Sequence, residues 1–215
     1  MNTLTKLALG LMGQHKPRAT RAGPAVSWAL PPPSREGGMP LLDALRQRQS
    51  RRAFAKGALA EQQLSDLLWA ADGVNRPDVG GRTAPSAMNA QELHIYVALP
   101  QGLYRYGPQA HVLERVTASD VRPVTGYQDF VDDAALDLVY VADHGSMKLV
   151  PARLREVYAF AAAGAVAQNV YLYCASAKLS TVVRAWFNRE ALSDAIGLGI
   201  DEQLLLTQTV GLPIP

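Results

Sequence analysis

Residues Arg153–Lys178 read RLREVYAFAAAGAVAQNVYLYCASAK, and this stretch decides the fold. From Val157 to Ala177 it carries no charged side chain and no proline, and Gln168 and Asn169 are its strongly polar groups. Apolar residues cover almost the whole helical circumference, the pattern of a helix buried on all sides. Seven alanines and Gly164 between Ala159 and Ala175 keep it thin, so other backbones can approach closely. At about 1.5 Å per residue it is roughly 35–40 Å long. That length would span a bilayer, but the mid-span Gln168 and Asn169 favour a core helix, one suited to crossing a subunit interface.

Short strands and helices lie around it. Upstream, Pro40 opens a helix to about Gln49 with Leu41, Leu42 and Leu45 on one side. A second helix covers Ala60 to Asp72, with Gly73 as its stop. Residues 73–91 form a long loop rich in Gly, Pro, Asn and Ser, and loops of that length are often functional. Strands are expected at His94–Leu99, Leu103–Tyr106, His111–Val116 and Leu136–Ala142 before the core helix, and at Ser180–Arg184 and Leu204–Val210 after it. A helix at Asn188–Ile196 separates the last two. Strands and helices mix without strict βαβ alternation, which gives an α+β fold with a mainly antiparallel sheet. Residues 1–38, broken by Pro17, Pro24, Pro31–Pro33 and Gly37-Gly38, read as an extended arm suited to wrapping on a partner subunit, and residues 39–215 as one domain.

Charge is unevenly placed. Residues 1–56 hold ten Lys or Arg against two acids, a balance of +8, whereas the remainder holds 11 against 17, a balance of −6. The excess gathers at Arg46–Arg52, which suits a local anionic ligand better than a nucleic-acid surface. Cys174 is the single cysteine, so no intrachain disulfide forms, and four scattered histidines offer no metal-ligand spacing. The apolar run LALGLMG after Lys6 is short for a signal peptide and lacks a small-x-small cleavage site. The expected compartment is the cytoplasm, with the periplasm as the alternative.

Two clusters carry candidate chemistry. Arg48-Gln49-Ser50-Arg51-Arg52 packs three guanidiniums and a hydroxyl into five residues, a set of donors suited to phosphate oxygens. In an extended chain Arg48, Ser50 and Arg52 point one way and Arg51 the other. The plain alternative is a solvated basic turn. Pro85-Ser86-Ala87-Met88-Asn89 lies in the long loop, where the carboxamide of Asn89 matches a heterocycle edge bearing C=O beside N–H. Here the plain alternative is a capped turn. No Walker loop, Rossmann glycine pattern or GxSxG elbow is present.

Taken in order, LLDALRQRQSRRAF, RTAPSAMNAQELHIYV, the core helix with AGAVAQNVYL, and LSTVVRAWFNREALSDAIGL with the final VGLP resemble the nitroreductase family of FMN-dependent oxidoreductases. GLYRYGPQAHVLERV further resembles the subgroup that oxidises azoline rings in peptide maturation. The resemblance covers about residues 40–213. It implies a homodimer with the long helix at its core, FMN as cofactor, and NAD(P)H as electron donor. The reaction it implies is ping-pong hydride transfer to a small acceptor such as a nitroaromatic or quinone. It also implies roles for residues. Arg48 and Ser50 would hold the phosphate and ribityl end, Gln49 would lie along the ring system, and Arg52 would face the N1–C2 edge. Pro85, Ser86 and Asn89 would hold the other polar edge from the partner subunit, and the backbone at Ala185-Trp186 would approach N5. The family's C-terminal basic pair is missing here, and Arg184 or another base is expected to substitute. Two other functions remain open. One is a peptide azoline dehydrogenase, with Lys148 or Tyr104 near N5. The other is a flavin-free binding protein on the same scaffold.

Overall fold

The computed structural model describes residues 27–214. Among them, seven strands join in one antiparallel sheet, in the order β1-β6-β5-β4-β7-β9-β8. The strands are β1 (Ser27–Ala29), β4 (Leu93–Leu99), β5 (Gly102–Gly107), β6 (Val112–Thr117), β7 (Leu136–Asp143), β8 (Ser180–Arg184) and β9 (Glu202–Gly211). A separate two-stranded ribbon, β2 (Val74–Arg76) with β3 (Gly81–Arg82), lies within the long loop. The helices are α1 (Leu41–Gln47), α2 (Glu61–Asp72), α3 (Ala152–Ser176) and α4 (Arg189–Ile196). The fold is α+β, as the sequence pattern predicts.

The central strands β4 and β7 are covered on both faces, which explains their near-continuous apolar runs. Leu93, Ile95 and Val97 of β4 pack with Leu64, Leu67 and Leu68 of α2 and with Ala163, Val166 and Val170 of α3. Tyr96 and Ala98 face the other way, onto Val121, Val124 and the α4 residues Leu192 and Ile196. The sheet is therefore a middle layer, with α2 and α3 on one side and α4 with the 121–124 turn on the other. Asn169 ties the first side together, donating to the carbonyls of Ala71 and Thr83 at 3.4 Å each.

Three features differ from the sequence reading. First, Ser27–Ala29 is an edge strand paired with β6. Trp28 meets Tyr104 edge-on and donates to Glu61 at 2.7 Å, while Leu30 is buried. The sheet thus takes in part of what reads as an arm. Residues 1–26 of that arm, the apolar run after Lys6 included, lie outside the described residues. Second, α1 stops at Gln47, and its buried residue is Ala44, whereas Leu42 is 79% exposed and Leu41 and Leu45 are exposed as well. Third, α3 is buried along Ala159, Ala163, Val166, Val170 and Cys174 but open along Val157, Ala161 and Gly164, with Val157 61% exposed. These open positions follow i, i+4, i+7 spacing and form one face. The helix has an uncharged side that its own chain leaves uncovered. Among the described residues no helix is long and apolar enough to cross a membrane.

Candidate functional site

The guanidinium-rich stretch follows directly on α1. The Arg48 N–H closes the helix on Ala44 O, and the chain then runs extended beside the free edge of β8. Arg51 N–H donates to Thr181 O at 3.0 Å, and Ala55 N–H donates to Leu212 O at 2.9 Å. Between them Phe54 is buried with Ala134 and Val182 and meets Phe130 at 5.3 Å. An apolar anchor and two backbone bonds therefore hold the corner.

Tyr171 of α3 organises one side of that corner. Its hydroxyl lies 2.8 Å from Ser50 Oγ and accepts Val183 N–H at 3.0 Å. The Arg48 guanidinium sits 5.2 Å from the centre of its ring, within cation–π range. Arg48 and Ser50 thus share a side, as the alternation predicts. Arg52 is exposed and makes no ion pair among the described residues. Gln49, expected along the ring system, is associated with Arg51 in this chain. With its carboxamide oxygen turned that way it accepts from the Arg51 guanidinium at 2.9 and 3.2 Å. Both residues line a pocket of about 290 Å³ that also contains Lys178.

The loop cluster is a strained turn rather than a simple cap. Met88, Asn89 and Gln91 have φ of 54°, 53° and 51°, the left-handed region that residues with a Cβ seldom occupy. Ser86 Oγ accepts Gln91 N–H at 2.8 Å and donates to Glu92 Oε2. Glu92 is fully buried, and its other oxygen has no partner among the described residues. Ser86 therefore fixes the loop, while Asn89 and Pro85 are exposed at its surface. Pro85, Ser86 and Asn89 line a small crevice with Ala162 and Val166 of α3. The corner meets the same helix at Tyr171, roughly 8–14 Å further along. One chain therefore holds the two predicted clusters apart.

Arg184, expected to add a base at the corner, lies in the core instead. It is buried, donating to Asp137 at 2.6 Å, Thr209 Oγ1 at 2.7 Å and Thr125 O at 2.7 Å. Burial pushes the Asp137 carboxyl up, and Arg184 and Thr209 hold it back. Gly126 leaves room for this guanidinium, since a Cβ there would lie 1.7 Å from Arg184 Nη1. The next two residues do reach the surface: Ala185 and Trp186 are exposed, and Trp186 packs on Tyr127 at 5.3 Å. Tyr104, a candidate for the N5 region, is buried on β5. Three strands separate β5 from β8, a distance of about 19 Å at the usual strand spacing, so Tyr104 is remote from Ala185 in its own chain. Lys148 is exposed in the loop after β7.

Tyr171, Lys178 and Glu92 escape the sequence reading. Tyr171 hides inside an apolar helix. Glu92 sits next to a strand start. Lys178 carries a readable signal, because it stands just past a helix end, where glycine is favoured.

With this geometry the chain belongs to the nitroreductase family, whose sequence profile matches residues 45–212. A nitroreductase-family protein of Methanocaldococcus jannaschii is 32% identical over 185 residues, covering 81% of this chain and 91% of that one. A solved nitroreductase-family structure from Ralstonia eutropha JMP134 is 50% identical with a TM-score of 0.84, covering 93% of this chain and 98% of its own. A Desulfovibrio desulfuricans family member solved in complex with FMN superposes with a TM-score of 0.59 at 21% identity, over 83% and 89% of the two chains. A chain of the E. coli microcin synthetase McbBCD complex does so at 0.70 and 18% identity, over 79% and 70%.

Proposed function

We propose that two copies of this chain form an FMN-dependent oxidoreductase that passes hydride from NAD(P)H to a small organic acceptor, such as a nitroaromatic or a quinone. One observation carries this reading. The Arg48–Arg52 corner is bonded to β8 at Thr181, and the same strand ends at the exposed Ala185-Trp186. Those points are four residues apart, about 13 Å along a strand, which suits a ligand with an anionic tail and a flat ring at the other end. The residues fit such a group: Arg48 and Ser50 offer donors to a phosphate, and the corner's guanidiniums lie beside no carboxylate ion-pair partner among the described residues. Bound there, FMN supplies a ring that takes up a hydride at N5 and gives it up to a second substrate, so no acid–base pair of the protein is required. Arg52 would offset negative charge on the reduced ring, were the flavin held with its polar edge toward that guanidinium.

Pro85, Ser86 and Asn89 complete the site from the other copy. Their distance from the corner within one chain supports this reading, as does the uncovered face of α3 beside the exposed leucines of α1. The same residues mark the dimer interface.

The test is a spectrum and a mass. The purified protein is expected to be a yellow dimer, absorbing near 450 nm, with a bound molecule of FMN mass that NADPH bleaches and a nitroaromatic restores. A colourless protein that ignores added flavin overturns the reading and leaves the binding-protein alternative. A yellow protein that turns over a peptide azoline with oxygen, and not NADPH, is the azoline dehydrogenase.

A further inference from the structure

The hairpin of β4 and β5 comes apart at its open end. The two strands pair from Leu99↔Gly102 to Tyr96↔Arg105. Beyond that point β4 runs on with β7 as far as Leu93↔Ala142, and β5 runs on with β6 as far as Gly107↔Val112. A cleft of about 370 Å³ lies where they part, and it takes residues from both faces of the sheet. Leu93, Ile95 and Tyr106 belong to the face that α2 and α3 cover, and Asp72 and Arg82 line the cleft beside them. His94, Arg105 and Glu114 alternate with core residues of their strands and line the other side.

The charges in this cleft balance, Arg82 and Arg105 against Asp72 and Glu114. On the inner side Arg82 is paired with Asp72. On the outer side Arg105 and Glu114 stand directly opposite each other in the β5–β6 ladder. Among the described residues neither of them forms an ion pair. The Arg105 guanidinium instead donates to His94 Nε2 at 3.0 Å. Burial, with the Arg105 charge adding to it, pushes the His94 imidazole down, so it accepts as a neutral ring and leaves the guanidinium charge uncompensated. A solvated surface pair would be the bland explanation. Opposite charges across a ladder attract, however, and that explanation gives no reason for a half-buried Arg105 to face an uncharged ring. At the inner end Arg82 Nε is buried with no acceptor among the described residues, an unfavourable state for a charged donor. The Tyr106 hydroxyl lies on His111 Nδ1 at 2.8 Å and does not serve it.

We propose that this cleft binds a free α-amino acid. Its carboxylate lies on the Arg105 guanidinium and its ammonium on Glu114, while a side chain bearing an acceptor passes between Ile95 and Tyr106 to Arg82. A simple anion or cation would leave one of the two outer charges unanswered, whereas a zwitterion answers both. The volume is at the small end of ordinary ligand pockets, which suits a ligand of this size. The site is separate from the cationic corner and does not depend on a flavin being bound there.

The test uses the full chain. Each common L-amino acid is screened at about 10 mM by its effect on the melting temperature, since a ligand of the folded state raises it. Calorimetry then gives affinities for the wild type, Glu114→Gln and Arg105→Gln. Glu114 is exposed, so Glu114→Gln is expected to melt as the wild type does, and a glutamine at position 105 can still donate to His94. An amino acid with a polar side chain is expected to bind the wild type, and each variant to weaken it roughly tenfold or more. Its N-acetyl and methyl ester derivatives, which each lack one charge, are expected to lose affinity by a similar factor. FMN affinity is expected to be the same in all three proteins. The site is overturned by a wild type that binds no amino acid or only apolar ones. It is equally overturned if Glu114→Gln binds as the wild type does, or if the N-acetyl derivative binds as tightly as the free amino acid. Should Arg105→Gln fail to fold, Glu114→Gln decides alone. A protein that binds the amino acid and ignores added flavin keeps this site and loses the function proposed above.

Discussion

The hydroxyls of Tyr171 and Ser50 lie 2.8 Å apart, and the same phenol accepts the backbone N–H of Val183. The long helix, the cationic corner and the edge strand therefore meet at one oxygen. Tyr171→Phe is expected to leave the Val183 N–H without this acceptor, while the exposed Ser50 hydroxyl turns to water, and to destabilise the fold by about 1–3 kcal/mol. Ser50→Ala leaves the Val183 bond in place and is expected to cost about 1 kcal/mol. Both are expected to weaken FMN binding. Urea midpoints and a flavin titration check this, and a Tyr171→Phe protein as stable as Ser50→Ala would contradict it.

Arg184 illustrates a cation whose place follows from the core rather than from a ligand. It is buried against Asp137, which is itself fully buried. Removing one partner of such a pair leaves an uncompensated charge, typically at about 3–5 kcal/mol. Asp137→Ala is therefore expected to destabilise severely. Arg184→Met strands the buried Asp137 carboxyl instead, and because a carboxyl can take up a proton whereas a guanidinium cannot lose one, this variant is expected to unfold at higher urea than Asp137→Ala. Equal midpoints would mean that the stranded guanidinium is not what costs stability.

The sequence carries much of this fold because composition and period suffice for it. Arg153–Lys178 and Ser180–Arg184 are found where their patterns put them, and Asn188 caps α4 through its side chain, which accepts Ala191 N–H. What escaped depends on partners distant in the chain. Ser27–Ala29 becomes a strand because β6 offers an edge and Tyr104 meets Trp28. The leucines of α1 have the right spacing, but spacing does not say whether their own core or another surface receives them. In the site, the alternation of Arg48 and Ser50 was legible. The pairing of Gln49 with Arg51 and the burial of Arg184 were not, because each is fixed by a contact rather than by a period.

Asp72 gives a pH signature. Its carboxyl is pushed up to about 6 by burial, with Arg82 pulling it back down. A raised carboxyl pKa means that the folded state holds its proton longer than the unfolded chain, whose aspartate titrates near 3.8. This contribution to stability is greatest below about pH 4, falls as pH rises, and is flat above about pH 6. Its full size is about 3 kcal/mol. The stability difference between wild type and Asp72→Asn is expected to shrink across that window and stay constant beyond it. Urea unfolding at pH 4, 5, 6 and 7 reads it directly, and a difference that grows with pH would reverse the assignment.

Gly164 separates folding from association. A Cβ built there meets nothing within 4 Å in the single chain, and it stands on the open face of α3 with Val157 and Ala161. Gly164→Leu is therefore expected to leave the subunit fold intact. It should even favour the helix by roughly 1 kcal/mol, since glycine is a poor helix former. In the proposed dimer, however, the added side chain would occupy the space through which the thin helix approaches a second copy. Sedimentation is expected to show a monomer with unchanged far-ultraviolet circular dichroism and little retained flavin, because on the proposed function each site would draw Pro85, Ser86 and Asn89 from the other copy. Leu42→Glu, on the neighbouring helix, is expected to act in the same direction by placing a charge on an exposed apolar surface. A Gly164→Leu protein that remains a yellow dimer would move the interface elsewhere and make the open face of α3 an ordinary surface.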